Sequence, residues 1–361
     1  MGIRLPVALV LATACQAGPS NHSGFSSTPD ITTTSVSSAE GSTTTNSGDP
    51  SGTTSSAGNA ASTSTSIDSD SATAPQIFDL GSSADLGDGK PVGCKGKIDF
   101  LFVISRDGGM VLIQAQLIDA FPKFITTIQE KFANFDYHIM VVDGDTHWGH
   151  TPCNEQCTPD GCKYIPDYPC DLLDLVTECD QTLGAGNVFA AGGQATNKPC
   201  AIDGGRRYLT REQANLDKTF ECVAQLGISG RGWIGEALTA AVSPQLNWKG
   251  ACNEGFLRDD ALLMVTLVSD SYDWEGKPLG SSGTPEEWAK AVIDAKHGDP
   301  RSVVMFSLLD PACPPDDRTC TMVKMFPYWF IEYGGVPDYG PAFDSASDLV
   351  QVACEGFSPP G

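Results

Sequence analysis

Two short polar loops carry the side chains best suited to chemistry in this 361-residue chain, and each directly follows an apolar run. After Phe100–Ile104 come Ser105-Arg106-Asp107-Gly108-Gly109-Met110, and after Leu262–Val268 come Ser269-Asp270-Ser271-Tyr272-Asp273. Hydroxyls and carboxylates gathered where strands end are the usual furniture of a ligand site, because open α/β sheets bind at the carboxyl ends of their strands. A third loop, Gly227-Ile228-Ser229-Gly230-Arg231-Gly232-Trp233-Ile234-Gly235, contains a G-x-G-x-x-G pattern and leads into Glu236-Ala237-Leu238. A dinucleotide site needs a strand before that pattern, whereas Phe220–Leu226 reads as a helix, so nucleotide binding is set aside. His147, His150, Cys153 and Cys157 have a spacing that suits zinc, but in an oxidising compartment those cysteines are expected to pair. With five histidines and no recognisable Ser/His/Asp set, the nucleophile activation a hydrolase needs is missing. The chain is therefore not expected to be an enzyme.

The elements that must hold these loops follow from periodicity. Phe100–Ile104, Ile139–Val142, Leu262–Val268 and Val303–Leu309 are continuous apolar runs, as expected of strands covered on both faces. Leu117, Phe121, Phe124, Ile125, Ile128 and Phe132 share a helical face, with Pro122 as a kink or restart. Thr284-Pro285-Glu286-Glu287 is a helix start (cap, proline in the first turn, then acids), opening a helix through Trp288, Val292 and Ile293 to Lys296. Phe343–Cys354 suggests a terminal helix. Strands alternating with helices predict an α/β fold, a doubly wound and mainly parallel sheet. An irregular insert, about 144–207, interrupts it with Cys153, Cys157, Cys162, Cys170, Cys179 and Cys200. A loop this long without regular structure calls for covalent staples.

At this point the chain resembles the von Willebrand factor A family. Ile98-Asp99-Phe100-Leu101-Phe102-Val103-Ile104, the Ser/Asp/Gly loop and Met110 are similar to that family's first strand and metal-binding loop. The likeness runs on through the glycine-rich loop and the strand ending at Asp270, covering most of 95–355, and is greatest to the secreted, cysteine-rich bacterial members. It implies protein or cell-envelope ligands held at the upper face through a divalent cation. The family's Asp-x-Ser-x-Ser, threonine and aspartate positions read Ser105, Asp107 and Gly109, then Gly232, then Asp270, so the metal-ion-dependent adhesion site is degenerate. Ser105, Asp107 and Asp270 remain as ligands for Mg or Ca, since hard cations take Asp and Ser oxygens with water filling the gaps. Otherwise Asp107 and Asp270 are solvated acids capping turns.

The N-terminal quarter has a different character. Met1-Gly2-Ile3-Arg4, an apolar stretch from Leu5 to Ala14 and then Cys15 give a signal peptide over residues 1–14, and Cys15 after small residues resembles a bacterial lipobox. Cys15 would then carry lipid; the alternative is an ordinary secretion signal with a leftover cysteine. No later stretch reads as a membrane span. Residues 15–92 form a Ser/Thr/Gly-rich stalk that cannot bury enough apolar surface to offset the entropy of ordering it, leaving 93–361 as the folded domain. The 13 cysteines are odd in number. Setting Cys15 aside leaves an even set, which in an exported chain implies disulfides.

Cys94 and Cys354 should clasp the two ends of the domain, Cys313 and Cys320 should close a Pro-rich loop, and Cys222 should pair with Cys252. Within the insert Cys179–Cys200 is the favoured couple, with Cys153, Cys157, Cys162 and Cys170 paired among themselves in an order the sequence does not choose. The formal net charge is −23, and residues 93–361 carry 37 acidic against 20 basic side chains, a net −17. Nucleic acid and anionic membrane surfaces are excluded as partners on that ground, so membrane contact is expected only through the N-terminal lipid anchor. The expected role is a surface-displayed binding or adhesion module, exported and anchored to the cell envelope. A structural or sensory envelope lipoprotein with a decayed metal site is the alternative, and a metal-dependent hydrolase using Asp107 and Asp270 is the least favoured.

Overall fold

The computed structural model describes residues 94–357 apart from positions 95, 275, 279, 311, 312 and 315. The signal peptide, Cys15 and the stalk lie outside the described residues. Eight strands occur in it: β1 (Lys97–Ile104), β2 (Asp136–Asp143), β3 (Phe189–Ala190), β4 (Lys198–Pro199), β5 (Leu209–Thr210), β6 (Leu262–Ser269), β7 (Val303–Leu309) and β8 (Tyr328–Tyr333). The helices are α1 (Val111–Lys131), α2 (Thr151–Glu155), α3 (Leu216–Ala224), α4 (Ile234–Ala241), α5 (Pro244–Asn247), α6 (Pro285–Asp294), α7 (Arg318–Val323) and α8 (Gly340–Gly356).

Strand order in the main sheet is β5-β2-β1-β6-β7-β8. Every pairing is parallel except the short β2–β5 edge. This is an α/β fold with a six-stranded, mainly parallel sheet covered by helices on both faces. Strand alternation explains the two layers. Phe100, Phe102 and Ile104 enter one core with Phe121 and Phe124 of α1, Phe220 of α3 and Phe343 of α8. Leu101 and Val103 enter the other with Ile234 and Leu238 of α4, Trp288 and Val292 of α6 and Met322 of α7. Because consecutive side chains of β1 serve opposite cores, its run has to be apolar throughout.

Several expectations change in detail. Pro122 neither ends nor restarts α1, which runs unbroken through it. A helix from Gly108 to Lys131 is long and apolar enough to cross a membrane by length and composition, against the reading that no later stretch is. Its apolar face (Ile113, Leu117, Phe121, Phe124, Ile128) is packed in the domain core. β8 was not anticipated. It is an edge strand whose residues are half-buried or exposed, so it lacks the continuous burial that marks its neighbours.

The described residues contain six disulfides. Cys94 is joined to Cys354, Cys313 to Cys320, Cys153 to Cys162 and Cys157 to Cys170. Two expected pairs, Cys179–Cys200 and Cys222–Cys252, are corrected: the partners are exchanged to Cys179–Cys252 and Cys200–Cys222. The insert is therefore not a closed covalent unit. Asn253 accepts from Gly186 N at 2.9 Å and donates to the Gly184 carbonyl at 2.9 Å, which lays the 178–186 segment against Cys252. Asn187 donates to the Val223 carbonyl at 2.7 Å and Thr196 N donates to the Gln225 carbonyl at 3.2 Å, which brings the β3–β4 hairpin, and Cys200 behind it, onto the end of α3. Contacts distant in sequence decide the pairing.

Candidate functional site

Three loops meet at the carboxyl ends of β1, β2 and β6. Ser105 N donates to the Val268 carbonyl at 2.9 Å, Arg106 N to the Arg231 carbonyl at 3.1 Å, and Gly230 N to the Arg106 carbonyl at 3.1 Å. The β1 loop is thus zipped to the glycine-rich loop on one side and to β6 on the other. Gly232 is held close against the β1 loop. A Cβ there would stand 2.8 Å from Ser105 Oγ and 3.4 Å from Asp107 Oδ2. Gly235, which ends the G-x-G-x-x-G pattern, packs so close to the Trp288 ring that a Cβ would lie 2.3 Å away. The glycines serve close packing, and the helix before them, α3, leaves no strand for a nucleotide fold.

Ser105, Asp107 and Asp270 all lie around this junction. Asp107 N donates to Ser105 Oγ at 3.1 Å, and Ser271 Oγ donates to Asp107 Oδ2 at 3.0 Å. Asp270 Oδ2 stands 2.0 Å from where a Cβ on Gly109 would be. The aspartate therefore fills the volume that a side chain at position 109 would take. Its other oxygen, Oδ1, is buried and has no hydrogen-bond partner. Burial pushes the Asp270 carboxyl up from its ordinary range, and the Asp107 and Asp310 carboxylates push the same way against the backbone N–H groups of Asp270 and Gly109.

The donor set, two carboxylates and two hydroxyls, has the hardness that Mg or Ca prefers, and the unpartnered Asp270 Oδ1 is an oxygen with capacity to spare. Among the described residues, however, the only trio of ligating side chains whose atoms lie within 4.8 Å of one another is Cys157, Cys162 and Cys170. Asp107, Asp270 and Asp310 do not form such a trio. A cation at this face would have to be held by fewer carboxylates, with hydroxyls and water completing its shell. The His147, His150, Cys153 and Cys157 spacing does not assemble a zinc quartet, because Cys153 and Cys157 are in disulfides, as expected of an oxidising compartment. His147 is exposed and hydrogen-bonded through Nδ1 to Asp145 Oδ1 at 3.1 Å.

Arg106 is the residue that sequence reasoning missed. It is 2% exposed, and its guanidinium lies 3.2 Å from Asp143 Oδ2, donating also to the carbonyls of His147 (2.9 Å), Ala191 (3.2 Å) and Gly149 (3.4 Å). Burial pushes the Asp143 carboxyl up while Arg106 pulls it back. One buried cation thus fastens the insert to the loop carrying Ser105 and Asp107. The only sequence signal is a basic residue between two candidate ligand positions. Beyond β6, Asp273 is 2% exposed and caps the start of α4, accepting from Gly235 N at 2.8 Å and from Ser281 N at 2.6 Å. Trp274, next in the chain, is 54% exposed and packs edge-on to Tyr272 at 5.4 Å. Aromatic surface therefore stands beside the acidic junction.

No family model and no curated protein matches the chain. Among solved structures it is similar to proximal thread matrix protein 1 from the mussel byssus, at 10% identity and TM-score 0.34, covering 72% of this chain and 48% of that one. It is also similar to the pilus adhesin SpaC of Lactobacillus rhamnosus GG in its open conformation, at 11% identity and TM-score 0.33, covering 72% and 30% respectively. The chain spans less than half the length of either.

Proposed function

We propose that this chain is a binding module rather than an enzyme, of the von Willebrand factor A type with a degenerate metal site. It would meet a protein or cell-envelope ligand at the carboxyl end of its sheet. The observation that carries the reading is the convergence of Ser105, Asp107, Ser271 and Asp270 at one junction, with a buried carboxylate oxygen of Asp270 left unpartnered. A Mg or Ca ion bound there would present a coordination position to an acidic group of the ligand. The insert, fastened by Arg106, would shape the approach. Six disulfides suit an oxidising compartment outside the cytosol, and the module would be displayed there on its stalk from a lipid at Cys15.

The test is calorimetry with millimolar magnesium, calcium and manganese, followed by capture of envelope proteins with and without chelator. Heat of cation binding that disappears in Asp270→Ala, with chelator-sensitive capture, is the expected result. Capture unaffected by chelator and by Asp270→Ala would remove the cation from the reading. A second reading, a structural or sensory envelope lipoprotein with a decayed site, is favoured by one observation: Asp270 occupies the volume of the missing side chain at Gly109. Absence of both cation heat and ligand capture would select it.

A further inference from the structure

The four cysteines between Cys153 and Cys170 sit at the centre of a small core of their own, with Trp148, Ile165, Tyr168 and Phe189 around Cys153 and Cys162. They make two bridges, Cys153–Cys162 and Cys157–Cys170. Cys153 and Cys162 are buried, whereas Cys157 and Cys170 are half-buried and reach the surface. The sulfurs of Cys157, Cys162 and Cys170, drawn from both bridges, all lie within 4.8 Å of one another. An outer, accessible disulfide therefore stands within reach of an inner, protected one. The segment that carries them is acidic: within residues 151–174 Glu155, Asp160, Asp167, Asp171 and Asp174 are exposed, and Lys163 is the one Lys or Arg.

We propose that this cluster is a thiol–disulfide exchange site that captures a positively charged thiol on its outer bridge and relays the displaced charge to its inner one. An incoming thiolate attacks the sulfur of Cys157, forming a mixed disulfide and breaking the Cys157–Cys170 bond. Cys170 leaves with the electron pair as a thiolate. It attacks the neighbouring Cys162 sulfur, forming Cys162–Cys170 and breaking Cys153–Cys162. Cys153 then leaves with the electron pair and takes a proton from solvent. Attack at Cys170 runs the same way through a Cys157–Cys162 bond. One disulfide is made for each one broken, so the only co-reactant is the entering thiol. Only after it has taken that proton does Cys153 have an S–H to turn toward the Gly161 carbonyl, 4.0 Å away. The acidic rim raises the local concentration of a cationic thiol and lowers that of an anionic one. None of this depends on the carboxyl-end site.

The experiment treats the intact oxidised protein with cysteamine, which is cationic, or with glutathione, which is anionic, then quenches with an alkylating agent and maps the peptides without reduction. Cysteamine should appear on Cys157 or Cys170, with Cys162 bonded to the other member of that pair and Cys153 alkylated. At low salt it should react roughly 10-fold faster than glutathione, the ratio shrinking as salt is added. In Cys153→Ala/Cys162→Ala the outer bridge should open at a similar rate but leave the displaced cysteine alkylated. An adduct formed with Cys153–Cys162 intact in the wild type would overturn the relay. Equal rates for the two thiols would overturn the charge selection. Adducts spread evenly over all six bridges would overturn the site. If the double variant does not fold, the wild-type map decides alone.

Discussion

Arg106 separates two candidate ligand residues in sequence, yet its side chain turns away from them into the insert. The loop carries both a ligand-facing edge and a structural strut. Arg106→Ala would leave Asp143 without its cation and three insert carbonyls without their donor, and breaking one partner of a buried pair costs about 3 kcal/mol or more. We expect a lower unfolding midpoint and earlier proteolysis within 144–170, read by urea titration and limited digestion. A wild-type digestion pattern would show that the insert is held by its bridges alone. A second residue-scale prediction concerns the opposite end of the sheet. Asp99 is fully buried and accepts from Arg258, and burial raises its carboxyl to about 6. His138 stands 3.7 Å from it and is lowered by burial, then by Arg258, to about 4.

The signs oppose. A raised Asp99 contributes stability that is full below its unfolded value of 3.8 and lost as pH rises through about 6. A lowered His138 contributes stability that is present above 6.5 and lost as pH falls toward about 4. Over the shared window the two nearly cancel, so this pair should leave wild-type stability flat. His138→Gln removes the second contribution. The variant should gain on the wild type as pH falls from 6.5 to 4.5, by up to about 1.4 kcal/mol per pH unit. Parallel urea midpoints for the two proteins across that range would refute the opposition.

At the scale of elements, legibility followed burial. The four apolar runs became β1, β2, β6 and β7 because a strand covered on both faces must be apolar at every position. The Thr284 start was equally plain, since Thr284 Oγ1 accepts from Glu287 N at 3.3 Å and Glu287 reaches back to Thr284 N at 2.9 Å. β8 was hidden because an edge strand can mix aromatic and charged residues without the period of either element. Disulfide pairing was tractable where the loop was short, as for Cys313 and Cys320, or where the α/β layout itself brings the ends together, as for Cys94 and Cys354, and failed where it depended on how the irregular insert folds back, as for Cys179 and Cys200. The site was half legible. Ser105, Asp107 and Asp270 follow from strand ends, but Ser271 carries no distinguishing signal and Arg106 only its place between two candidate ligand positions. The bridges tying the insert to the core give an element-scale prediction. Cys200→Ala/Cys222→Ala should free the β3–β4 hairpin, raising amide exchange across 187–200 while leaving β1 and β6 protected. Uniform loss of protection would mean that the insert and the sheet unfold as one.

At the scale of the whole molecule, the strands and helices put both ends of the domain at the edge opposite the candidate site. Cys94 lies just before β1, at its amino end, and α8 runs back against the strand direction to bring Cys354 to the same edge. Their Cα atoms are 4.8 Å apart, within the range a disulfide spans, and both side chains are buried in the core beside Phe357. The arrangement leaves the carboxyl-end face clear of the point where the chain enters the domain; under the proposed lipid at Cys15, Cys15→Ala should move the protein from the membrane to the soluble fraction without altering its unfolding midpoint, and unchanged membrane association would remove the anchor from the reading. The clasp itself closes a loop with a sequence separation of 260 residues, and the chain-entropy account credits such a loop with about 5 kcal/mol as an upper value. Cys94→Ala/Cys354→Ala should accordingly lower stability by about 2–5 kcal/mol, seen as a reduced urea midpoint with little change in slope. Because the helices on both faces remain packed, cation binding at the far edge should survive in the variant wherever the wild type shows it. An unchanged midpoint would mean that packing of α8 against α1 and β7 holds the ends together without the bridge, and loss of cation binding would mean that the two edges are coupled through the sheet.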